Sequence, residues 1–190
     1  WISGAGFALA VLRALITTWP NRWLAEPLRL GAFLGALAAF FALAAFLWSW
    51  AVVPRIEEKI YYEVMFWGGG HVLQFQHALL MVLAWLWIAD ALGRPPVASP
   101  RALSVLFFVA ALPLLVVPLF YLIVPPGSLA HMELFAKLMI WGHPYMGPLI
   151  LLGAWSLWSA RRVASSPAKS AFIASFTLFA LGGVLGYMIE

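Results

Sequence analysis

Phe66-Trp67-Gly68-Gly69-Gly70-His71-Val72-Leu73-Gln74-Phe75, with Gln76 and His77 just beyond, decides how this chain is read. It sets histidines, glutamines and three consecutive glycines inside an apolar run long enough to cross a bilayer. In a helix in water each glycine costs about 1 kcal/mol relative to alanine. In a membrane the same residues let a neighbouring helix or a flat cofactor come close to the backbone. At about 100° per residue, Glu63, Trp67, His71, Gln74 and His77 share one helix face, while Gln76 points elsewhere. Lipid cannot satisfy polar groups, so such a stripe faces protein or a cavity. The stretch therefore predicts a membrane helix with an inner side.

Composition agrees. The 190 residues are 65% hydrophobic and 9% charged, which excludes an ordinary soluble domain and predicts helices near the roughly 20 residues that cross a bilayer. The absence of cysteine excludes disulfides, thiolate metal sites and iron–sulfur clusters. The net charge of +4 lies in short loops and suits lipid headgroups, not nucleic acid. The sequence starts at Trp1 with no signal-peptide n-region and stops at Glu190 directly after an apolar run. It reads as one transmembrane domain, residues 1–190, cut from a longer protein.

Six spans are expected: Trp1 to Thr18, Leu30 to Val53, Tyr61 to Ala89, Leu103 to Val124, Leu129 to Trp158 and Ala171 to Ile189. The fold class is thus all-α, a polytopic transmembrane helix bundle. Pro113 and Pro118 should kink the fourth span. The fifth carries His131, Glu133, Lys137, His143, Pro144 and Pro148, with Glu133 and Lys137 at the i,i+4 spacing of a helical ion pair. Loop charge sets the orientation. The loops near 19–29, 90–101 and 160–169 hold Arg22, Arg29, Arg94, Arg101, Arg161, Arg162 and Lys169, against Arg55 and Lys59 in the others. That bias puts the first set in the cytoplasm and Trp1 outside, with His71 nearer the outer face.

Phe66 to Phe75 resembles the sixth-helix signature of subunit I of the haem-copper oxidases, Phe-Trp-x-x-Gly-His-Pro-Glu-Val-Tyr, matching at Phe66, Trp67, Gly70 and His71. Val72, Leu73 and Gln74 stand in place of Pro-Glu-Val, and Phe75 in place of Tyr. Leu138-Met139-Ile140 with Pro144 is similar to the family's eighth helix, and Leu181 to Gly186 to its Gly-Gly-x-x-Gly ninth helix, so the segment resembles helices four to nine.

The resemblance implies a bacterial-type inner (cytoplasmic) membrane subunit, multi-pass, that reduces oxygen or nitric oxide at a haem–metal site. Its partners would be lipid, other oxidase subunits and a cytochrome c-like electron donor. By the same resemblance Trp67, Gly70, His71 and Gln74 face the cofactor and His71 is a metal ligand, while the haem-ligating histidines lie outside this segment. The copper site also departs from the family pattern. Phe120-Tyr121 falls where an adjacent His-His pair is expected, and the proton-path lysine is replaced near Pro148. Haem is therefore expected, with the copper centre altered or lost. Two other readings stand beside this one: a non-catalytic haem-binding or assembly protein of the same fold, and a transporter whose path is lined by a broken helix near Pro144 and Pro148 and by the Glu133/Lys137 pair.

Overall fold

Alanine and glycine bring the two longest helices together. In the computed structural model, which describes residues 2–54, 58–93, 98–160 and 166–189, α2 (Pro27–Val52) and α3 (Glu58–Ala91) form the central pair. Ala38, Ala42 and Ala45 of α2 are buried, and Gly69 of α3 receives the Phe46 ring where a Cβ would stand. Small side chains permit this close approach, and packing is the main source of helix association where lipid is as apolar as leucine. On α3 the inward residues Phe75, Leu79, Val82, Leu86 and Ala89 recur at three- and four-residue intervals, as a helix with one core face requires.

The remaining helices surround this pair. α1 (Ile2–Thr17) rests on α2, and α4 (Pro100–Ala111) crosses it, with Phe107 filling the space beside Gly31. Ser99 starts α4 by accepting a hydrogen bond from the Ala102 N–H at 3.3 Å, with Pro100 in the first turn, where its missing N–H is harmless. As Pro113 predicts, a 3-10 turn at Leu112–Val116 separates α4 from α5 (Val117–Ile123). Gly127, at φ 86°, makes the following turn in a conformation that favours glycine. α6 (Leu129–Gly142) lies on α3 and, after a 3-10 turn at His143–Met146 containing Pro144, continues as α7 (Gly147–Ala160). α8 (Ser166–Ile189) stands apart, held where the Trp85 indole N–H donates to Ser175 Oγ at 2.9 Å and packs on Phe172.

The span count needs correction. Among the described residues four helical runs, not six, are long and apolar enough to cross a membrane: Pro27–Val52, Lys59–Ala91, Pro100–Ile123 and Pro167–Gly186. α1 has 16 residues and rises about 24 Å, short of a hydrocarbon core of roughly 30 Å. The expected fifth span is divided by its 3-10 turn into two helices of 14 residues each. Of the loop charges used for orientation, Arg55, Arg94, Arg161 and Arg162 lie outside the described residues, as does Trp1. Arg22 and Arg101 line one recess, so the 19–29 and 90–101 loops meet at the same end of the bundle.

Candidate functional site

The polar stripe of α3 spans an arc of about 120° from His71 to His77, wide enough to meet two different neighbours. Its two edges do so. On one edge His71 is 8% exposed and its Nδ1–H donates to the Trp67 carbonyl at 2.6 Å, one helical turn earlier. That bond selects the tautomer in which Nε2 carries the lone pair. Trp67 packs on the His71 ring with centroids 4.8 Å apart, and its indole N–H donates to the Met132 carbonyl of α6 at 3.4 Å. This edge of α3 is therefore tied to α6.

Phe135 of α6 is the hub there. Its buried ring lies 5.9 Å from His71, 4.9 Å from His131, 6.0 Å from Tyr121 and 5.4 Å from Phe120. The Tyr121 phenol reaches between helices: its oxygen pairs with Ser49 Oγ at 3.3 Å and presses into the space left by Gly68. His131, in the first turn of α6, is turned inward. Its backbone N–H is capped by Ser128 Oγ at 3.2 Å, but its imidazole is fully buried against Tyr121 and Phe135, with neither ring nitrogen hydrogen-bonded among the described residues.

On the other edge, Gln74 and His77 are exposed along a slot between α3, the His143 turn and α8. The slot has a volume of about 740 Å³ and is mostly apolar. Gly182, Gly183 and Gly186 of α8 line it, and a Cβ at any of them would meet nothing within 4 Å. His143 lines it too, its ring stacked on Phe75 at 4.6 Å and hydrogen-bonded to the Met139 backbone. Gly70 is half-buried with open space where its Cβ would lie.

The predicted site residues thus divide. Trp67 and His71 lie together against α6, Gln74 goes with His77 to the slot, and Glu63 is exposed, so the single inward-facing stripe is not kept. Glu133 and Lys137 form the expected ion pair at 3.5 Å, but on the exposed side of α6 and not along an interior path.

The residues were tested for copper and for haem. Around His71 the near neighbours are aromatic rings, and among the described residues no group of three or more His, Cys, Asp or Glu is arranged to hold a metal ion. A copper centre of several imidazoles does not fit this donor set. The slot does fit a haem: it is apolar, smooth on its glycine wall and supplied with imidazoles on the other.

No family model matches the chain, and no solved structure matches it significantly. A Rickettsia prowazekii (strain Madrid E) protein described as uncharacterized is 43% identical over 35 residues, which is 18% of this chain and 7% of that protein. The match covers too little of either chain to carry a function across.

Proposed function

We propose that this chain is part of a haem-copper-oxidase-like subunit I, a multi-pass haem protein of a respiratory membrane in which the copper centre has been altered. Lipid surrounds the four long apolar runs, and α1 and α6 pack against the central pair. One observation carries the reading. On α3, the Nδ1–H of a buried His71 donates to the Trp67 carbonyl at 2.6 Å, within a motif spaced like the oxidase sixth helix. A bound haem supplies one-electron chemistry. The chain's own residues position His71, exclude water with Phe135 and Phe120, and leave a smooth glycine wall on α8.

The alternative of a non-catalytic haem-binding relative is favoured by the aromatic surroundings of His71, where Tyr121 takes the space beside Gly68. For the transporter reading, the helix is broken at Pro144, while the Glu133–Lys137 pair lies on an exposed face. The test is an absorption spectrum and elemental analysis of the purified full-length protein. Haem with little copper is expected. One copper per haem pair, lost in His71→Ala, would overturn the altered-centre part and direct attention to His131. A protein containing neither haem nor copper would end the oxidase-like reading.

A further inference from the structure

His77 and His143 match no residue of the oxidase signature, and they are far apart in sequence. The fold nevertheless brings both to one slot. We propose that His77 supplies an imidazole to the iron of a haem lying in the slot between α8 and the wall formed by α3 and α7. The inference rests on the reading of the chain as part of a membrane haem protein, and it departs from the expectation that every haem ligand lies outside this segment.

Three features of the slot carry it. Its volume of about 740 Å³ lies within the roughly 300–1,000 Å³ usual for cofactor clefts. One wall is made flat by Gly182, Gly183 and Gly186, none of which has an atom within 4 Å of where its Cβ would stand. A Cβ-free wall is what a planar macrocycle needs to approach a helix closely. The other wall carries the imidazoles. His143 is held by stacking on Phe75 at 4.6 Å and by its bond to the Met139 backbone. His77, exposed to the slot, has no hydrogen-bond or ion-pair partner among the described residues. An imidazole exposed to the slot opposite a smooth apolar wall would hold a haem iron through a ring nitrogen. His143 lines the same slot.

The experiment uses the full-length protein in detergent, with haem content and iron spin state read from absorption and electron paramagnetic resonance spectra. His77→Gly should lower haem retention on the order of tenfold or more, or convert a low-spin haem to high-spin, and added imidazole should reverse the change. His77→Tyr keeps an aromatic side chain and should instead give a phenolate-to-iron charge-transfer band. Gly183→Leu should lower haem content without rescue by imidazole, because it fills the slot. Unchanged haem content and spin state in all three variants would overturn the proposal while leaving the haem-protein reading intact; a lipid chain or another helix then fills the slot. Absence of haem from the wild-type protein would overturn that reading as well.

Discussion

At the scale of the residue, His131 is the least comfortable group in the bundle. A buried polar atom left without a hydrogen bond costs about 1–3 kcal/mol, and both nitrogens of this imidazole are in that position. Replacement by an apolar side chain of similar size removes the penalty and keeps the contacts with Tyr121 and Phe135. His131→Leu is expected to leave stability unchanged or raise it by about 1–3 kcal/mol, measured by reversible denaturation in detergent micelles. A clear loss of stability would show that the ring has a binding partner in the membrane-embedded protein. His71 is a contrast: its Nδ1–H is satisfied by the Trp67 carbonyl at 2.6 Å.

At the scale of the element, the glycines of α3 and α8 look alike in sequence and do different work. Gly68 and Gly69 are packing residues, filled respectively by Tyr121 with Phe135 and by Phe46. A Cβ at residue 68 would meet the phenol oxygen and come within 3.1 Å of the Phe135 ring. Because Tyr121 and Phe135 are themselves buried, they have little room to withdraw. Gly68→Ala is therefore expected to destabilise the bundle by about 1–3 kcal/mol, whereas Gly183→Ala is expected to change it little. Equal effects of the two in a thermal-shift comparison would contradict this division. The glycine triplet could be found from sequence alone; which glycine faces a ring and which faces open space depends on neighbours distant in the chain.

At the scale of the whole molecule, the meeting of the 19–29 and 90–101 loops fixes one end of the bundle. Arg22 and Arg101 lie in that recess, and Arg29 beside it pairs with Glu26 at 3.6 Å. Positive charge collects on the cytoplasmic side of membrane proteins, so this end is expected to face the cytoplasm. Arg22→Cys and Arg101→Cys, in these 190 residues that carry no cysteine and with any cysteine elsewhere replaced, should react with a membrane-impermeant thiol reagent only after the inner face is opened. Labelling of either position from outside intact cells would reverse the topology.

The sequence by itself determined that the chain is all-helical and apolar enough for a membrane, roughly where its long helices lie and that Pro113 interrupts one of them. These are local matters, set by hydropathy, by the loss of a backbone donor at proline, and by caps such as Ser99 and Ser128. It also singled out α3 as the helix with an inner side. Only the tertiary structure decided that this side is shared between two neighbours, with His71 turned to α6 and His77 to α8. The same holds for the burial of His131 against Tyr121 and for the union of His77 with His143 in one slot. A helical repeat tells which residues share a face, but the helix that covers each part of that face is chosen by packing among residues far apart in sequence. The chemistry of this chain depends on that choice.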